Sequence, residues 1–123
     1  MGDSSPIVYF QIGATDAGEM AAFCRDVFGW DIGATNGPVT ALDTGAGQVV
    51  PNDIFVSGSI RQLAEGASSF VSLYVRVSDL DGAVERAMAR GAQLIVPRRD
   101  PEGGASVAVV RGPGGVAFGI VQL

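Results

Sequence analysis

Two halves of the 123-residue chain follow one plan, and this repeat limits the fold more than any other feature. In the first half the β-branched and aromatic run from Ile7 to Ile12 reads as a strand that begins after Pro6. Asp16, with Glu19 three positions later, has the form of a capping box. Met20, Phe23, Val27 and Phe28 then recur at helical spacing until Gly29 stops the helix. Three short strand-like stretches follow, Trp30 to Thr35, Val39 to Thr44 and Val49 to Val56, separated by Asn36-Gly37-Pro38 and Gly45-Ala46-Gly47. The second half repeats the order. Phe70 to Val77 is a strand, Asp79 caps a helix carrying Leu80, Val84, Ala87 and Met88, and Gly91 ends it. Gln93 to Val96, Ala105 to Val110 and Val116 to Val121 complete three further strands. Asp16 and Asp79 lie 63 positions apart, and Gly29 and Gly91 lie 62 apart, so the two halves keep register.

The expected organisation is therefore one α+β domain over residues 1–123, with βαβββ modules at 6–56 and 70–123. Residues 57–69, rich in Gly, Ser and Ala and holding Arg61 and Glu65, read as the connector, with room for a short helical turn around Ile60 to Ala64. At 47% hydrophobic residues the chain has ample material for a packed core.

Composition narrows the chemistry. The chain has no histidine and no lysine against 13 acidic residues. It thus lacks the commonest metal ligand, the usual general base near neutral pH, and the Schiff-base residue. A formal charge of −5 and a pI near 4.4 speak against nucleic acid and anionic membrane surfaces, both of which demand clustered cations. The adjacent pair Arg98-Arg99 is flanked by Asp100 and Glu102 and reads as a solvated loop. The first residues lack the basic and apolar regions of a signal peptide, and no apolar run reaches the roughly 18 to 20 residues of a membrane span, so the expected location is cytoplasmic. Cys24 is the only cysteine and has no histidine to activate it; the expected role is that of a small buried hydrophobe. Asp79 and Asp81 are explained as cap and first-turn acid, and Gly112 to Gly115, with no lysine, as a hairpin turn rather than a phosphate loop.

Phe23-Cys24-Arg25-Asp26-Val27-Phe28-Gly29-Trp30 resembles the segment ending the first helix of the vicinal oxygen chelate superfamily, which includes glyoxalase I, extradiol dioxygenases and bleomycin-resistance-type proteins. Val77-Ser78-Asp79-Leu80-Asp81, Arg90-Gly91-Ala92 and Gly112-Pro113-Gly114-Gly115 resemble the matching marks of the second module. The resemblance spans essentially the whole chain. It implies paired βαβββ modules forming a cupped mixed sheet with helices outside, completed as a homodimer, and a pocket in the cup.

Strand alternation sorts the side chains around such a pocket. Val8, Phe10 and Ile12 share one face of the first strand, suited to packing beneath the helix, and leave Tyr9, Gln11 and Gly13 on the other. Val71, Leu73, Val75 and Val77 oppose Ser72, Tyr74 and Arg76. On the last strand Val116, Phe118 and Ile120 alternate with Ala117, Gly119 and Val121. The polar and small-residue faces suit a roomy pocket, or else simply the solvated side of an open sheet.

The resemblance also places Tyr9, Ser72 and Gly119 at positions where metal-dependent relatives carry ligands. Neutral hydroxyls and a glycine do not make the roughly three-donor set a divalent ion needs, and Gln11 offers a single amide oxygen. No metal and no cofactor are expected. The function this implies is metal-independent binding and sequestration of a small aromatic natural product, anthraquinone- or enediyne-like, as in antibiotic-resistance relatives. Tyr9, Trp30, Phe55 and Tyr74 would stack on the guest while Gln11, Asn52, Ser72 and Arg76 orient its oxygens. Trp30, beside Phe28, suits core packing as well as stacking, and Asp53 suits either a pocket acid or a strand end. The alternatives are a metal-free enzyme of natural-product biosynthesis using Tyr9, Tyr74 or Asp53 for proton transfer, a metal-dependent enzyme of the glyoxalase type, and a partner protein with a vestigial pocket.

Overall fold

The computed structural model describes residues 5–45, 57–101 and 104–123. Two compact units divide the chain: Val8–Val71, and Ser72–Leu123 together with the residues up to Ile7. The fold is mixed α+β, and each unit repeats the same arrangement, as the 63-residue offset requires.

In the first unit, β1 (Ile7–Ala14) leads into α1 (Ala17–Phe28), followed by β2 (Asp31–Asn36), β3 (Val39–Asp43) and β4 (Ser57–Gln62). The strand order is β2-β3-β4-β1, with β1 and β4 parallel and the other pairs antiparallel. Asp16 caps α1 by accepting a hydrogen bond from the Glu19 N–H at 3.0 Å, and Gly29 ends it at φ 71°, where a residue with a Cβ would be strained. The helix buries one side against a core of Ala14, Leu42 and Ile60, joined by Phe10, Ile12, Met20, Ala21, Trp30 and Ile32. Phe10 and Ile12 thus lie on the helix side, as alternation requires. Cys24 is 1% exposed.

In the second unit, β5 (Phe70–Arg76, of which Phe70 and Val71 belong to the first unit), α2 (Leu80–Ala89), β6 (Gln93–Arg99), β7 (Ser106–Arg111) and β8 (Ala117–Gln122) give the order β5-β8-β7-β6, again with the first and last strands parallel. Leu80, Ala108, Val110 and Ile120 form its core, with Val77, Val84, Ala87 and Phe118 packed around them. The Gly-Pro-Gly-Gly stretch is a 3-10 turn at Pro113–Gly115 that leads into β8.

Three expectations change. The segment taken as connector holds β4, so only 63–69 link β4 to β5; the strand expected at Val49 to Val56 lies outside the described residues. Ser57-Gly58-Ser59 has weak strand propensity, yet it is flanked by β1 and β3, and pairing on both edges outweighs propensity. Gly58 is needed there, because a Cβ at that position would run into the Phe10 ring. Second, β6 runs on to Arg99 through Pro97, which is tolerated because β6 is the outer strand of its unit and pairs only with β7. Third, Val71 and Leu73 share a face with Val75 but stay 65% and 36% exposed.

Candidate functional site

In both units the helix covers one face of the strands, and the opposite face carries most of the residues singled out from the sequence. On β1 that face presents Tyr9, Gln11 and Gly13. The parallel register sets Tyr9 opposite Ser57, Gln11 opposite Ser59 and Gly13 opposite Arg61. Gln11 is held from two sides. Its amide Nε2 donates to Ser59 Oγ at 3.1 Å, and its carbonyl Oε1 accepts from Arg61 Nε at 3.3 Å. Ser59 is completely buried, so one end of this chain of hydrogen bonds is fixed within the sheet while the guanidinium at the other end is exposed. Gly13 lies directly under the Phe70 ring, where a Cβ would collide.

The second unit has the corresponding arrangement with different chemistry. Ser72, Tyr74 and Arg76 face away from α2, with Tyr74 opposite Gly119 and Arg76 opposite Val121. The Tyr74 ring lies flush on Gly119, and a Cβ there would overlap it. The face is an aromatic plate over a glycine, with a hydroxyl and a guanidinium along the same strand.

Trp30 sits elsewhere. It joins the helix-side core of the first unit, its ring centroid 5.6 Å from Phe10 and 5.0 Å from Phe28, on the opposite side of the sheet from Tyr9 and Gln11. Asn52 and Phe55, and with them Asp53, lie outside the described residues. Ser59 and Arg61 were not among the expected site residues because they fell in the presumed connector. The period-2 pattern Ser57, Ser59, Arg61 against Gly58 and Ile60 is the signal that could have found them.

A divalent ion does not suit these donors. β1, β4, β5 and β8 contain no Asp, Glu, His or Cys, and among the described residues no three such side chains converge. Gln11 Oε1 is engaged by a cation already, and Gly119 offers no donor and lies beneath a ring. A shallow depression of about 280 Å³ opens beside the start of α1, lined by Asp16, Glu19, Met20 and Phe23 among others. It contains none of the residues singled out from the sequence, and Asp16 there is committed to its cap.

The family model described as glyoxalase-like domain matches residues 8–121. The chain is similar in structure to the Mn(II)-bound glyoxalase from Novosphingobium aromaticivorans, with TM-score 0.70 and 16% identity over 97% of this chain and 40% of that one. It is similar to a glyoxalase/bleomycin resistance protein/dioxygenase superfamily member from Vibrio splendidus 12B01, with TM-score 0.67 and 15% identity over 98% and 100% of the two chains. A variant of Streptomyces coelicolor methylmalonyl-CoA epimerase in complex with 2-nitronate-propionyl-CoA gives TM-score 0.65 and 14% identity over 94% and 95%. At these identities the likeness is one of fold. No curated protein matches the chain.

Proposed function

The chain belongs to the glyoxalase-like domain family, and from that premise we propose that it captures a small aromatic organic molecule on its helix-free sheet faces without a divalent ion. The observation that carries this reading is the make-up of those faces. Where a metal-dependent relative would need carboxylates or imidazoles, the strands offer rings, amides, hydroxyls and guanidinium groups, a mixture that holds a flat guest by burial and orients it by a few hydrogen bonds. In the second unit, taken by itself, the Tyr74 ring lies on Gly119, and each ring contact with a guest adds about 0.5–1.5 kcal/mol beyond the area it buries. Gln11, fixed by Ser59 and Arg61, supplies a polar anchor whose rotamer entropy is lost before the guest arrives. The guest we propose is a planar natural product of the antibiotic type, bound and released unchanged.

The test is to titrate the purified protein with a panel of anthraquinone-type compounds by calorimetry and to analyse the recovered ligand by mass spectrometry. Micromolar binding, ligand of unchanged mass, and about fivefold to tenfold weaker binding in Gln11→Ala are expected, the size of one hydrogen bond lost. Conversion of the compound at substoichiometric protein would replace capture with catalysis, the activity of the neighbours named glyoxalase and epimerase. Absence of binding to every compound would overturn both.

A further inference from the structure

Resting on the capture reading above, we propose that the guest of the first unit is an organic anion, an aryl carboxylate or comparably acidic oxygen, and that the Arg61 guanidinium receives it.

The orientation of Gln11 is settled by chemistry. An arginine Nε–H only donates, so the glutamine atom 3.3 Å from Arg61 Nε is the carbonyl oxygen, and the amide nitrogen is the atom 3.1 Å from Ser59 Oγ. Gln11 therefore turns its carbonyl oxygen to Arg61 and its amide nitrogen to the buried Ser59. A metal ion approaching this group would meet a guanidinium and an oxygen already engaged by it; an anion would meet the donors of the exposed guanidinium.

Among the described residues no ion pair neutralises Arg61; those present engage Arg25 and Arg98. β1 and β4 carry no acidic side chain, and Asp43 at the end of β3 accepts from the Gly45 N–H at 2.8 Å. Holding Nε on Gln11 fixes the plane of the guanidinium and leaves its two Nη groups for a carboxylate, the fork that binds such a group with two parallel hydrogen bonds.

The ring half of the guest has a place beside it. Gly13, in register with Arg61, lies under the Phe70 ring, and that ring is 37% exposed. An aryl group against Phe70 would carry its carboxylate to Arg61 on the neighbouring strand. The chain as a whole has a charge of −5, so attraction of an anion must be local and screened by salt.

The experiment compares 2-naphthoate with 2-naphthamide, equal in shape and different in charge, by calorimetry with the whole chain. Naphthoate is expected to bind about tenfold more tightly at low salt, as a charge-assisted pair predicts. That preference should shrink in 0.5 M NaCl and fall to about one in Arg61→Gln, with folding of the variant checked by circular dichroism. Equal binding of the two probes by the wild-type protein, or a preference that salt leaves intact, overturns the inference and leaves capture standing. Binding of neither overturns capture along with it. The salt series needs no variant, so a misfolded Arg61→Gln would not blunt the test.

Discussion

Asp100 shows how single residues on the second unit answer to their neighbours. Its carboxylate accepts a hydrogen bond from the Ser106 hydroxyl and a charge-assisted one from Arg98 Nε at 3.0 Å. Arg98 in turn reaches Asp81 on α2 at 3.0 Å. The pair Arg98-Arg99, read from the sequence as loop, therefore closes a strand, and Arg98 ties that strand to the helix. The hydrogen bond from Ser106, and after it that from Arg98, hold the Asp100 carboxyl below the usual carboxylate range. A carboxyl whose folded pKa is depressed adds stability above its unfolded pKa of about 3.9 and loses it as pH falls through the lower folded value. Thermal melts between pH 2 and 6 should accordingly show a shallower acid-side decline for Asp100→Asn than for the wild type. Ser106→Ala should lie between them. Parallel curves for all three would remove Asp100 from the account of acid sensitivity.

At the level of elements, the two helices start by the same device, and the sequence displayed only half of it. The Asp caps were legible, since Asp79, like Asp16, accepts from the N–H three residues on, at 3.1 Å. The other half comes from the last strand of each unit: Gln62 Oε1 accepts the Ala17 N–H at 2.9 Å and Gln122 Oε1 accepts the Leu80 N–H at 2.7 Å. Nothing local in a sequence links residues more than 40 positions apart; the link exists because the first and last strands of a unit run parallel and bring the Gln beside the helix start. Leu80 is fully buried, so Gln122→Leu would strand its N–H away from water and should cost about 1–3 kcal/mol. Asp79→Ala, which frees a more exposed N–H, should cost about 1 kcal/mol. Urea unfolding decides between this order and the reverse. Element order, both helices and the sorting of faces on β1, β5 and β8 followed from periodicity. β4 did not, because its small polar residues become a strand only between two partners, and Ser59 and Arg61 were lost from the site with it.

For the molecule as a whole, the absence of histidine and lysine sets its response to pH. Only arginines carry positive side-chain charge, and they keep it throughout the physiological range. Stability should therefore be flat from about pH 5.5 to 7.5. On the alkaline side, burial pushes the Cys24 thiol above its ordinary value. A group raised on folding contributes fully below its unfolded pKa and loses that contribution as pH climbs through the folded one. Cys24→Ala should flatten the decline above about pH 8.5 even if it lowers the plateau. A bend in the wild-type curve near pH 6.5 would contradict this picture.

The Tyr74 ring resting on Gly119 bears on descent as well as on binding. Any side chain arriving at 119, a metal-binding one included, would have to evict that ring, and forcing atoms into a packed site costs about 1–3 kcal/mol. A history that acts one mutation at a time is steered away from that route, since the first step is penalised before the second can be rewarded.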